Sequence, residues 1–197
     1  MVNGADNKIN GVAPSYTEAY GEWNQVAYSG TSAVVSFWVG MGGWTGSSSI
    51  VQAGADSNVP GSPKYEFWVE DYPLGTIWEA QPAVNAGNRL YVHVQYLGST
   101  SIAFLLNEST TQYTTVTFNS PYYDGKSADY IYEAPLSPPY PSWGSTLFSC
   151  CWLSSNLSGF GYFNSYNYEK INMRYGGVLH GWPSDNPSNA SFTMYSQ

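Results

Sequence analysis

Along most of this 197-residue chain apolar and polar side chains take turns, in runs that seldom exceed eight residues. Successive side chains of a β-strand point to opposite faces, so this period of two predicts half-buried strands. Val35, Phe37 and Val39 alternate with Ser36, Trp38 and Gly40 before a Gly-rich turn over Met41–Ser49. In Ile50–Asp56, Val51, Ala53 and Ala55 point one way while Gln52, Gly54 and Asp56 point the other. Tyr65, Phe67 and Val69 alternate with Glu66, Trp68 and Glu70, and Tyr72-Pro73 closes that segment. Leu90, Val92, Val94 and Tyr96 alternate with Tyr91, His93, Gln95 and Leu97, and Asp129, Ile131 and Glu133 with Tyr130, Tyr132 and Ala134. Further strands are predicted over Ser101–Leu106, Tyr113–Phe118, Leu147–Leu153, Tyr168–Tyr175 and Ser191–Tyr195, with Glu22–Tyr28 as a short first strand.

Gly, Pro, Asn and Ser separate these runs, and no window supports an amphipathic helix of three turns. The pattern predicts an all-β antiparallel sandwich. Residues 1–20 lack a clear period and read as an extended N-terminal arm. Pro135–Ser145 contains four prolines directly after the Glu133 strand and reads as a loop bordering the site, in the position of a flap. With no linker and no internal repeat, we expect one domain over residues 1–197.

Composition narrows the function. Aromatic residues make up 17% of the chain and charged ones only 10%, against roughly 25% charged in an ordinary globular protein. With 14 acidic and 6 basic groups, the surface repels nucleic acid and anionic membranes, so neither is an expected partner. A fold that leans little on paired carboxylates also has little to lose in acid. No run of about 18 apolar residues occurs, and no charged-apolar-small leader opens the chain, which we read as a mature form. Cys150 and Cys151 are adjacent, which suits two thiols on opposite faces of a strand better than a strained vicinal disulfide. Three Asn-x-Ser matches at Asn107, Asn156 and Asn189 carry little weight in a chain so rich in Asn and Ser.

Several kinds of chemistry find no support. His93 and His180 are the only histidines, and no motif nucleates a metal site. No Gly-x-Ser-x-Gly elbow is present, and the turn Gly40–Gly46 lacks the Lys-Ser/Thr ending of a phosphate loop. What remains is a polar face with Gln52, Asp56, Glu66, Glu70 and Glu133, flanked by Trp38 and Trp68. A solvated sheet face is the plain reading. Tryptophans beside carboxylates also suit a site for a sugar or an extended peptide.

Four motifs stand in order along this face: Trp38-Val39-Gly40 with its Gly-rich turn, Gln52-Ala53-Gly54, Tyr65-Glu66-Phe67-Trp68-Val69-Glu70, and Asp129-Tyr130-Ile131-Tyr132-Glu133. Together, over about residues 33 to 135, they resemble the glutamic peptidases, or eqolisins. The resemblance implies a sandwich of two large antiparallel sheets, similar to the legume lectins, with the site on a concave face. It implies a secreted, acid-active, pepstatin-insensitive endopeptidase without a cofactor, acting as a monomer on polypeptides in acidic surroundings. By position, Gln52 and Glu133 match the family's catalytic pair, and Trp38, Glu66, Trp68 and Glu70 match residues lining its cleft. The chain departs from the family where Gly40-Met41-Gly42-Gly43 lacks a usual cleft Asp, where Glu66 replaces an Asp, and where fungal cysteines are absent.

The chemistry is sound apart from the resemblance. A carboxylate, with an ordinary pKa of about 4.3, remains a base in mild acid where histidine is fully protonated. Glu133 would deprotonate water, and the neutral amide of Gln52 would donate to the oxyanion at any pH. Two other readings use the same residues. One is a carbohydrate-binding sandwich without catalysis, and the other a glycosidase with Glu66 and Glu133 flanking a sugar bond.

Overall fold

The computed structural model describes residues 1–3, 15–27, 34–44, 46–58, 65–79, 81–134, 140, 142–157, 159–185, 187–188 and 190–197. In chain order the strands are β1 (Val2–Asn3), β2 (Tyr16–Asn24), β3 (Val35–Gly42), β4 (Ile50–Ser57), β5 (Tyr65–Tyr72), β6 (Gly75–Glu79), β7 (Arg89–Tyr96) and β8 (Thr100–Asn107). They continue as β9 (Gln112–Asn119), β10 (Ala128–Glu133), β11 (Ser145–Ser155), β12 (Gly159–Tyr162), β13 (Met173–Tyr175), β14 (Val178–Pro183) and β15 (Phe192–Ser196). Among the described residues there is no α-helix, only one 3-10 turn at Phe163–Ser165.

These strands form two antiparallel sheets, as the alternation predicts. The smaller runs β1-β10-β3-β4-β5-β6, and the larger runs β13-β14-β15-β11-β2-β7-β8-β9 with β12 paired to β11. Their inward faces make one apolar core. Phe37, Val39, Val51, Ala53, Phe67 and Val69 of the smaller sheet meet Ala19, Trp23, Leu90, Val92, Ala103 and Leu105 of the larger. Removing side chains of this size from water contributes about 1.5–3 kcal/mol each, which drives the sheets together. A Cβ on Gly21 would lie 2.8 Å from Cγ2 of Val39, so glycine lets β2 pass close under β3. With the odd positions of β3, β4 and β5 committed to this core, the even positions face away from it.

Some expected boundaries change. Tyr16–Tyr20 is not part of an arm, because it opens β2, which lies between β11 and β7 inside the larger sheet. Its period is broken by a register shift against β11 at Ser154/Ser155, so inward positions fall at Tyr16, Ala19, Gly21 and Trp23. Val2–Asn3 pairs with β10, and the rest of the expected arm, residues 4–14, lies outside the described residues. The first strand expected at Glu22–Tyr28 ends at Asn24, and Tyr168–Tyr175 shortens to Met173–Tyr175. The two cysteines are free thiols. Cys151 is buried in the core and Cys150, half-buried, lies at a bulge with φ of +49°.

Candidate active site

The ladder registers of the smaller sheet bring the predicted residues onto its outward face in three rows. Glu133 pairs with Ser36, Ser36 with Asp56, and Asp56 with Glu66. The next row is Ile131, Trp38, Gly54, Trp68 and Trp78. The third is Asp129, Gly40, Gln52, Glu70 and Thr76. Gln52 and Glu133 therefore share a face, two strands and two rows apart, with Trp38 in the row between them.

Glycines make room for that tryptophan. A Cβ on Gly54 would fall 2.6 Å from the Cβ of Trp38 and 2.3 Å from the carbonyl oxygen of Phe37. A Cβ on Gly40 would meet the Trp38 ring at 3.2 Å and Cβ of Gln52 at 2.8 Å. The indole lies over these bare positions and extends toward Glu133, donating from Nε1 to Oε2 at 3.1 Å. Glu133 itself is the exposed last residue of β10. An N–H aimed at the carboxylate fixes its direction.

Gln52 is almost fully buried, and its Nε2 donates to Oε2 of Glu70 at 2.5 Å. The other oxygen of Glu70 accepts from Oγ1 of Thr76 at 3.0 Å. Thr76 and Glu70 thus orient the amide, so Glu70 acts on Gln52 instead of lining a cleft alone. An amide NH₂ carries two hydrogens, and one is left for another acceptor. No hydrogen bond joins Gln52 to Glu133 among the described residues.

Asp56 is the residue that pattern reasoning put on this face without a role. It is buried, and Oδ1 accepts from Oγ of Ser36 at 2.5 Å and from Nε1 of Trp68 at 2.6 Å. Burial pushes its carboxyl up to about 6 against the pull of both hydrogen bonds, and the charges of Glu133 and Glu66 push the same way. Glu66 is half-buried opposite Asp56. One row thus carries three carboxyls, and the middle one holds its proton through mild acid. Trp78, half exposed beside Trp68, extends the aromatic row to the sheet edge and was missed because its strand follows Tyr72-Pro73 so closely.

Trp38 and Trp68, expected as partly exposed walls, are only 7% and 6% exposed. They stand apart from the core cluster and are buried on the outward face, each with its indole N–H on a carboxyl oxygen, of Glu133 and of Asp56 respectively. Of the expected flap over Pro135–Ser145, residues 135–139 and 141 lie outside the described residues, and Ser145 already opens β11. Trp143, near its end, packs edge-on against Phe37 and Tyr132. Among the described residues no group of three His, Cys, Asp or Glu is arranged to hold a metal ion.

A comparison with curated proteins finds no match. Solved structures do. The fold superposes on scytalido-glutamic peptidase bound to a transition-state analog inhibitor with a TM-score of 0.78 at 18% identity, covering 93% of each chain. SCP-B, an eqolisin in complex with the tripeptide Ala-Ile-His, gives 0.73 at 18% identity, covering 100% of this chain and 96% of that one. Aspergilloglutamic peptidase from Aspergillus niger gives 0.67 at 22% identity, covering 83% and 99%. Identities this low speak for the shared sandwich alone. The sequence profile of the Peptidase A4 family, however, matches residues 2–179, and the chain belongs to that family, the eqolisins.

Proposed function

We propose that the protein is an acid endopeptidase in which Glu133 is the general base and Gln52 the oxyanion donor. The observation that carries this reading is the common outward face of the two residues, with Trp38 between their rows and its indole N–H on Glu133. A substrate strand lying over the indole has a carboxylate on one side and a buried amide on the other. Glu133 takes a proton from water, and the oxygen adds to the peptide carbonyl carbon. The oxyanion that forms accepts the free N–H of Gln52, which Glu70 holds in direction. Collapse breaks the C–N bond, and the proton on Glu133 passes to the departing amine. No covalent intermediate forms.

The scarcity of charge and the protonated Asp56 suit work in acid, and we assign the protein to an acidic extracellular setting with polypeptide substrates. Incubation with a denatured protein between about pH 2 and pH 7, with and without pepstatin, tests the reading. Cleavage confined to acid and indifferent to pepstatin is expected. A preparation that leaves peptides intact but cleaves a polysaccharide would transfer the row of carboxyls to the glycosidase reading.

A further inference from the structure

Asp56 lies on the same outward face as Gln52 and Glu133, and no step of the hydrolysis uses it. Its Oδ1 accepts two hydrogen bonds, from Oγ of Ser36 and from Nε1 of Trp68. An indole N–H can only donate, so Oδ1 is fixed as the accepting end of the group. Oδ2 has no hydrogen-bond partner among the described residues, yet it is not sealed from solvent. The 4% of Asp56 that stays exposed therefore includes Oδ2, which opens onto the face shared by the proposed catalytic pair.

The described charges that face Asp56 are both negative. Glu66 on β5 is its partner across the ladder, and Glu133 on β10 lies beyond Ser36 of β3. Ser36, Trp38 and Trp68, the other outward neighbours on β3 and β5, do not titrate, and Glu70 is two rows away on Gln52. Burial above all, with the repulsion of Glu133 and Glu66, raises the Asp56 carboxyl to about 6 against the pull of both hydrogen bonds. In acid the proton then stands on Oδ2, the end that accepts nothing. Gln52 and Asp56 are outward residues of one strand, four residues and about 13 Å apart. An extended peptide repeats the orientation of its carbonyls every second residue, or about 6.7 Å. A substrate strand running along β4 with its scissile carbonyl at Gln52 therefore brings a second, like-oriented carbonyl to Asp56.

We propose that Asp56 is a substrate-binding residue, whose Oδ2 hydroxyl donates a hydrogen bond to that second carbonyl and fixes the register of the peptide over Trp38. The inference rests on the peptidase reading, since the acceptor is a backbone carbonyl of the polypeptide substrate. A carboxylic acid donates only while it is protonated, and once ionised it turns a lone pair toward the carbonyl. Substrate is thus held in acid and released toward neutrality, independently of the charge on Glu133.

The test is peptide affinity against pH, measured by calorimetry between about pH 4 and pH 7 for Glu133→Gln and for Glu133→Gln/Asp56→Asn. Glutamine at position 133 stops turnover and removes the titration of that residue from both profiles. With one repelling charge gone, Asp56 loses its proton at or just below about pH 6. The affinity of Glu133→Gln should therefore fall at least about tenfold from pH 5 to pH 7. Asparagine at position 56 keeps an acceptor for Ser36 and Trp68 and puts an N–H in place of the hydroxyl at every pH. The double variant should match Glu133→Gln at about pH 4 and hold that affinity to about pH 7. Parallel profiles overturn the proposal, because Asp56 would then only support Trp68, a role read in the melting temperature. A folded double variant that fails to bind at about pH 4 overturns it as well, as does a Glu133→Gln protein without peptide affinity at any pH. Proteolysis by the wild type is scored separately: its absence in acid strikes the peptidase assignment, and its presence beside parallel profiles strikes Asp56 alone.

Discussion

At the scale of single residues, Gln52 was legible because an amide among Val51, Ala53, Gly54 and Ala55 fills no core space. Its dependence on Glu70 was not, since alternation assigns a face but not a partner across the ladder. Removing the amide as Gln52→Ala should leave the fold intact and lower kcat by about 10² to 10³, the loss typical of one oxyanion donor. Near wild-type turnover would take the oxyanion role away. The burial of the tryptophans was likewise hidden, because a period of two cannot say what lies above a face. Trp68 is buried and donates to a buried carboxyl, so Trp68→Ala should destabilise the protein by on the order of 3 kcal/mol as well as impair catalysis. Urea unfolding beside kinetics separates the two effects. A stable Trp68→Ala variant with only a raised KM would return Trp68 to the role of an exposed wall.

At the scale of elements, strands with one face in the core announce themselves, as β3, β4, β5, β7 and β10 do. Strands with little to bury do not. The edge strand β6 is exposed along most of its length, and β1 is two residues long, so neither leaves a period to read. The partnership of β3 and β4 rests on Gly54, whose bare backbone lets the strands and the Trp38 side chain close up. Gly54→Ala is therefore expected to cost about 1–3 kcal/mol, as overpacking does. It should also lower kcat, because a displaced Trp38 no longer directs Glu133. Retained stability together with an unchanged kcat would show that the indole is not what aims the carboxylate.

At the scale of the whole molecule, several buried carboxyls make stability depend on pH in an unusual direction. Burial pushes Asp56 and Asp71 up to about 6 and holds Asp129 well above the ordinary range. The oxygens of Asp71 have no hydrogen-bond partner among the described residues, which suits the neutral form. A carboxyl whose folded pKa is raised binds more protons folded than unfolded, so its contribution is full below about 4 and is lost as pH rises through about 6. For Asp56 alone the difference is on the order of 3 kcal/mol. The buried Met1 amine, pushed down to about 6, acts the other way above that pH, which confines the clean window to about pH 4–6. The urea midpoint should rise as pH falls across that window, and a fall instead would mean that these carboxyls are ionised in the fold. An inactive variant is the right material, since it cannot digest itself in acid, and Glu133→Gln supplies it. That substitution also tests the central claim, because glutamine keeps the shape and an acceptor for the Trp38 N–H but cannot take a proton from water. Peptide hydrolysis by Glu133→Gln should be absent at every pH between about 2 and 7, with melting temperature and peptide affinity near wild type. Cleavage above a trace rate by the purified variant would remove Glu133 from the reaction.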